Sequence, residues 1–375
     1  MRDKLLQISS AFSIQKIYVN LVSKLSERGY RQIIYVPVRN ADQINGNRDE
    51  SIENSEYHYS HILKNNLLFK LRFRRKIQII YKDLLSKVDI ESVGLVHAHF
   101  LFSDGGVAYL LNKEFGIPYV VNVRATDLFY FFRLMVYERR FGNKIMESAE
   151  RVIFINPTYV NLLKEKYLSS FFKNFESKVA VIPNAIDDKW FSTESRTKEL
   201  SQPIKLLYVG QIIERKKLDI VIKAMNLFNS KSKTLATLDI VGSGPFLKKV
   251  EILFNENVKY WGRINDFNSL FQIFNDCHIF LMPSIKETFG LVYIEALSQG
   301  LPIVFCKDEA VDGFFPNLST GVAVPPNDVN ETSRAIEYII ENYNEMSKSA
   351  VKLSSSFRWE NVAGKHHEIY EKIIG

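Results

Sequence analysis

Only two cysteines occur in 375 residues, Cys277 and Cys306, far apart and each inside an apolar segment. That scarcity excludes a disulfide framework and a cysteine-based zinc site. No run reaches the ~18 to 20 uncharged apolar residues that span a bilayer. The opening MRDKLLQISS lacks the apolar core of a secretory signal, so the chain is expected to stay in the cytoplasm. No repeat of fixed period and no low-complexity tract is present. With 46% hydrophobic and 24% charged residues, the composition is that of a globular protein and excludes disordered and collagen-like classes. The length favours two domains, each large enough for its own core.

Charge is unevenly placed. Residues 1–180 hold 27 Lys+Arg against 18 Asp+Glu, a net of +9, and residues 181–375 hold 22 against 24, a net of −2. Such asymmetry marks a surface facing nucleic acid, acidic lipid headgroups or phosphorylated ligands. No nucleic-acid motif accompanies it, so nucleic acid is not an expected partner. The excess concentrates in LLFKLRFRRKIQIIYK, where Lys70, Arg72, Arg74, Arg75, Lys76 and Lys82 interleave with Phe69, Leu71, Phe73, Ile77 and Ile80. A second cluster sets Phe129, Tyr130, Phe131 and Phe132 beside Arg133, Arg139 and Arg140. Two readings fit: docking on an anionic leaflet at ~1 kcal/mol per basic residue, or a core-packing helix with a solvated basic face.

Short aliphatic runs (KLLQIS, QIIYVPV, GLVHAHF, PYVVNVR, RVIFIN, then KLLYVG, ATLDIVG, HIFLMP, LPIVFC) alternate with helical patterns. Continuously apolar strands between amphipathic helices imply parallel sheets covered on both faces, hence two doubly wound α/β domains. DDKWFSTESRTKELSQP is polar and aperiodic, which places a linker over 188–203. The domains are then 1–187 and 204–356, with a closing helix over 357–375.

The most informative segment is KETFGLVYIEALSQGLPIV. Glu287 and Glu295 flank the turn residues Phe289 and Gly290 just ahead of a helix. Free amides at Gly290 and Leu291 at the positive end of the helix dipole suit a phosphate, and glycine allows its close approach. Carboxylates beside an anion site suit sugar and ribose hydroxyls. The same residues also fit a first-turn glutamate complementing the dipole and a solvated helix glutamate. In KLLYVGQIIERKK, a strand passes through Gly210 and Gln211 into a basic turn, Arg215–Lys216–Lys217, placed to neutralise a diphosphate or simply solvated. In IVGSGP, Gly242 and Gly244 form a tight strand-to-helix turn ahead of Pro245. His97 and His99 alternate along a strand, so they point to opposite faces and do not chelate. His97 reads as a packed strand-end histidine with acceptor contact open to it. His366 and His367 read as solvent-facing.

In this order, VGQIIERKK, IVGSGP, YWGRIND and ETFGLVYIEA resemble the retaining glycosyltransferases of family four, which have the GT-B architecture of two Rossmann-like domains facing a central cleft. Weaker matches, GLVHAHF, VIPNAIDDKWF and FRWENVAGKHHEIY, extend the resemblance over nearly the whole chain. It implies an acceptor-side first domain completed by the terminal helix, and a second domain binding a nucleotide sugar. It puts Glu295 on the ribose hydroxyls, Glu287 near the donor sugar, Lys216 on the diphosphate, and Gly290 and Leu291 on the same phosphates. Phe289, Gly210, Gln211, Arg215, Gly242, Gly244 and Arg263 complete the donor-side set. Arg124 and Asp127 of NVRATD fall at a catalytic motif, and His97 on the acceptor side. No metal and no cofactor are expected, since cations and helix amides would stabilise the leaving diphosphate and no DxD pair stands in a plausible loop. Retention would follow from front-face attack by the acceptor hydroxyl, with no glutamate nucleophile.

The chain departs from the family in four places. Gln211 stands where an arginine is usual, and Asn184-Ala185 where Asn-Gly is common. SSAFSIQK, residues 9–16, replaces a glycine-rich loop, and Arg124 replaces a histidine, which rules out base catalysis at that position. The expected activity is transfer of a sugar, UDP-linked by preference, to a growing, lipid-linked glycan in bacterial surface polysaccharide (capsule or lipopolysaccharide) assembly, on the inner face of the membrane. Alternatives are transfer to a soluble acceptor, a catalytically silent nucleotide-sugar-binding member, and a sugar-nucleotide epimerase.

Overall fold

The computed structural model describes residues 2–63, 72–191, 198–309, 311–316 and 318–375. Two compact units emerge: Met1–Ile155 with Tyr159–Asn184 and Trp359–Gly375, and Asn156–Thr158 with Ala185–Arg358.

The first unit is built on a sheet in the order β3-β2-β1-β4-β5-β6-β7, all neighbours parallel. Its strands are β1 (Lys4–Ile8), β2 (Arg31–Val38), β3 (Ser55–His61), β4 (Val93–Ala98), β5 (Tyr119–Val123), β6 (Arg151–Phe154) and β7 (Val179–Val181). Its helices include α1 (Lys16–Ser26), α2 (Phe73–Lys87), α3 (Ser103–Phe115) and α4 (Arg139–Ser148). β5, YVVNV, is buried at every residue, as a strand covered on both faces must be.

In the second unit the order is β10-β9-β8-β11-β12-β13, again parallel throughout. It comprises β8 (Ile204–Val209), β9 (Ala236–Val241), β10 (Val258–Gly262), β11 (Ile279–Met282), β12 (Ile303–Cys306) and β13 (Gly321–Val324). Its helices include α5 (Leu218–Lys231), α6 (Phe267–Asp276), α7 (Leu291–Ser298), α8 (Val329–Glu341) and α9 (Tyr343–Ser354). Central β11 and β12 are fully buried, whereas edge strand β10 leaves Tyr260 and Trp261 exposed. The starts of α6 and α8 are fixed by Asp266, which accepts the Ser269 amide at 2.7 Å, and Asp328, which accepts that of Glu331 at 2.9 Å.

Of residues 188–203, expected as a linker, the described ones, 188–191 and 198–203, belong to the second unit. Trp190 is buried against Phe267, Phe271 and Phe274, and the Lys198 ammonium donates to the Phe274 and Cys277 carbonyls at 2.6 and 2.9 Å. Residues 192–197 lie outside the described residues. The closing helix, α10 (Trp359–Ile374), returns to the first unit and buries Trp359, Val362, Ala363, His366 and Tyr370. His366 is thus inside, not solvent-facing, because 359, 362, 363, 366 and 370 form one helical stripe. His367 meets the Tyr30 hydroxyl at 2.9 Å.

Candidate functional site

Doubly wound sheets bind ligands at the carboxyl ends of their strands, where the strand order reverses. In the second unit that point lies between β8 and β11. The loop after β8 carries Arg215 and Lys216, and the loop after β11 runs through Glu287 to Gly290. The Ile285 amide ties them by donating to the Arg215 carbonyl at 2.9 Å. Lys216 is buried, and its ammonium pairs with the Glu287 carboxylate. Glu287 also accepts from the Ser284 hydroxyl at 3.1 Å and lies 3.6 Å from the Arg215 guanidinium. A third loop contributes Glu309, whose carboxylate accepts the backbone amides of Lys286 and Glu287 at 2.9 and 3.1 Å. Burial raises its pKa above the usual glutamate range. Neither Ser284 nor Glu309 stood out in the sequence. Asp308 and Glu309 lie three residues or fewer past apolar β12, at the same carboxyl edge, but that spacing alone does not reveal which loop Glu309 supports.

Gly290 caps α7 with φ +73°, and a Cβ there would lie 2.4 Å from the Tyr293 ring and 3.3 Å from Glu287 Cγ. Only glycine fits, and the first helical amides, Leu291 and Val292, are left without intrahelical acceptors. A buried ammonium, a guanidinium and a helix start on linked loops are the groups that an anion would need, and Glu287 is their internal counter-charge. Glu295, further along α7, is partly buried, and loss of solvent, then the Asp187 charge, pushes its carboxyl up to about 7. Among the described residues no cation pairs with it. Such an underpaired acceptor gains most from a ligand hydroxyl.

Other expected donor residues are spent differently. A Cβ on Gly242 (φ +142°) would lie 1.9 Å from the Gly210 carbonyl oxygen, and one on Gly244 2.2 Å from that of Ile212. These glycines let the loop after β9 seat on the loop after β8, where the Ile212 amide donates to Ser243 at 2.9 Å. They shape the site through packing. Phe289 points inward, its ring 5.6 Å from that of Phe314 and 5.9 Å from that of Phe357. The Gln211 and Arg263 side chains are exposed; the Gln211 carbonyl holds the Tyr208 hydroxyl at 3.1 Å, and Arg263 reaches Asn265 at 3.0 Å.

In the first unit, Asp127 is buried and accepts three backbone amides, from Arg124, Leu101 and Phe102, at 2.9, 3.2 and 3.3 Å. It anchors the loop into α3, and burial pushes its carboxyl up to about 7 against the pull of those amides. Arg124 donates to the Asn184 side chain at 2.8 Å and lies over the Tyr18 ring at 5.6 Å. Asp104, absent from the expected set, accepts the Ser10 amide at 3.2 Å in place of a glycine-rich loop. His97 and His99 do not point apart: their rings are 4.0 Å from one another, because β4 ends at Ala98 and strand alternation stops there. They still do not chelate. Both His97 nitrogens are engaged, by Asn122 at 3.0 Å and Tyr370 at 2.7 Å, and burial first, then Arg124, lowers its pKa to about 4.

The two basic, aromatic clusters meet. Phe73 of α2 lies 4.8 Å from Phe131, and Arg74 pairs with Glu138 at 3.0 Å. Phe73, Ile77 and Ile80 are buried, so α2 is a core-packing helix with a solvated face carrying Arg72, Arg74, Arg75 and Lys82. Phe69, Lys70 and Leu71 lie outside the described residues. Beside that face, Leu134, Val136 and Tyr137 are 63, 54 and 64% exposed, between exposed Arg133 and Arg140.

Two Rossmann-like parallel sheets with this topology define the GT-B class of glycosyltransferase fold. Residues 14–190 match the model for glycosyltransferase family 4 and residues 191–354 that for glycosyl transferases group 1, and the chain belongs to this family. An uncharacterised glycosyltransferase of Methanocaldococcus jannaschii is 22% identical over 338 residues, covering 86% of this chain and 88% of its own. Among solved structures, the lipopolysaccharide outer core galactosyltransferase WaaB is similar with a TM-score of 0.73 at 14% identity, over 98% of this chain and 99% of its own. HepE of Anabaena, in complex with UDP, gives 0.69 at 16% identity, over 98 and 100%. At these identities the structural likeness is one of fold. Among the described residues, no helix is long and apolar enough to cross a membrane.

Proposed function

We propose that this glycosyltransferase moves a hexosyl group from a UDP-sugar to a lipid-linked glycan, with retention and without a metal ion. The observation that carries the reading is the Lys216–Arg215–Glu287 cluster at the start of α7. The diphosphate would take the Lys216 ammonium, the Arg215 guanidinium and the Leu291 and Val292 amides, all placed where negative charge grows as the glycosidic bond breaks. Glu287, relieved of its internal partner, would accept hydroxyls of the donor sugar, and Glu295 those of the ribose. The departing phosphate oxygen would take the acceptor proton on the same face. HepE, crystallised with UDP, supports the choice of base, and the name of WaaB supports a surface-polysaccharide acceptor.

A membrane-held acceptor is favoured by the Leu134–Tyr137 projection beside the arginines of α2 and α4, apolar side chains and cations on one surface. EDTA-treated enzyme should therefore still transfer from a UDP-hexose to a glycolipid acceptor, and do so faster on phosphatidylglycerol vesicles than on phosphatidylcholine. NMR of the product should give the anomeric configuration of the donor. Inversion, loss of activity in EDTA, or equal rates with a water-soluble acceptor and no lipid would each contradict part of this reading.

A further inference from the structure

A small pocket lies in the first unit, walled by Tyr18, Asn122, Arg124, Asn184, Trp359 and His366 among others. Three of its wall residues end in buried polar atoms with no hydrogen-bond partner: Arg124 Nε, Trp359 Nε1 and His366 Nδ1. These side chains are more than nine-tenths buried. Guanidinium and indole nitrogens can only donate, and the imidazole can carry its proton on Nδ1. The two asparagine oxygens on the wall are already engaged, that of Asn184 by Arg124 and that of Asn122 by His97. Apart from the Tyr18 hydroxyl, the polar side chains of the wall therefore offer donors rather than free acceptors.

Charge points the same way. Among the described residues no carboxylate pairs with Arg124, and the nearby acids, Asp104 and Asp127, are occupied by Ser10, Ser103 and backbone amides. A buried guanidinium without a counter-charge is costly. The free volume, about 20 Å³, admits one water-sized occupant and excludes a phosphate or a sugar.

We infer that this cavity binds a single halide-sized anion, chloride under cellular conditions, held by Arg124, Trp359 and His366 and pinning α10 to the ends of β5 and β7. None of its wall residues is among those assigned to the donor. It gives a chemical use to an arginine that cannot act as a base.

Crystals grown in sodium bromide would show the site directly: an anomalous peak is expected in the cavity against Arg124 and Trp359. In solution, the melting temperature should rise with chloride or bromide relative to gluconate at equal ionic strength. Trp359→Phe, which removes one donor and keeps the ring, should weaken the halide midpoint roughly tenfold. Arg124→Gln should abolish it. A water without anomalous signal, melting temperatures equal in chloride and gluconate, or a halide dependence unchanged in both variants would overturn the assignment.

Discussion

Glu287 and Glu295 share one loop and helix, yet their surroundings separate them. Glu287 has Lys216, Arg215 and Ser284 about it, whereas Glu295 has no paired cation among the described residues, and burial first, then the Asp187 charge, raises its carboxyl to about 7. With the folded-state value above the ordinary 4.5, ionisation of Glu295 weighs on the folded state increasingly from pH 4.5 upward and fully above about 7. Glu295→Gln is expected to stabilise the fold by about 1–2 kcal/mol at pH 8 and by little at pH 4.5, while weakening UDP binding. Urea unfolding at both values with UDP titrations checks this; stabilisation independent of pH, or unimpaired binding, goes against it. Removing Lys216 strips Glu287 of its buried partner. Lys216→Ala should cost about 2–4 kcal/mol, somewhat less than a fully orphaned charge because Arg215 and Ser284 remain. Glu287→Ala should bind UDP nearly as wild type but slow transfer, and a loss of binding equal to that of Glu295→Ala would refute the separation of roles.

Loops after β8, β9 and β11 are fitted to one another by backbone, and the glycines record it. Gly244→Ala would drive a Cβ to 2.2 Å from the Ile212 carbonyl oxygen, whereas Gly262, at φ +69°, has open space around it. Gly244→Ala should therefore cost more than 2 kcal/mol and weaken UDP binding through the displaced β8 loop, and Gly262→Ala about 1 kcal/mol with binding retained. Equal costs by urea unfolding would show that the close approach does not matter. The same contrast shows what a sequence reveals. β11 and β12 were legible because strands buried on both faces read as unbroken apolar runs, and the ends of β8 and β11 were legible because Gly210 follows the first and Pro283 the second, with charged residues a few positions on. The inward turn of Phe289, the crowding at Gly242 and the support from Glu309 depend on which loops lie beside each other, and spacing along one chain does not carry that. His97 and His99 failed for a local reason: alternation was applied one residue past the end of β4. His366 failed because charge and polarity in GKHHE concealed a buried stripe that only packing of α10 exposes.

The chain as a whole divides its chemistry between its two units. The basic excess of +9 lies in residues 1–180, with the exposed Leu134–Tyr137 projection, and the Lys216–Glu287 cluster lies in the nearly balanced remainder. Phosphatidylglycerol vesicles should sediment the protein at low salt, with the bound fraction falling as salt screens the arginines and falling severalfold for Leu134→Ser/Tyr137→Ser. Salt-independent binding, or no effect of the double variant, would leave that projection without a membrane role. The central claim, a nucleotide-sugar site at the start of α7, is tested most directly by calorimetric titration of the whole protein with UDP, GDP and ADP in EDTA. UDP is expected to bind without metal, more tightly than GDP or ADP, and to be lost in Lys216→Ala. Binding of no nucleotide, or UDP binding undiminished in Lys216→Ala, would contradict the account.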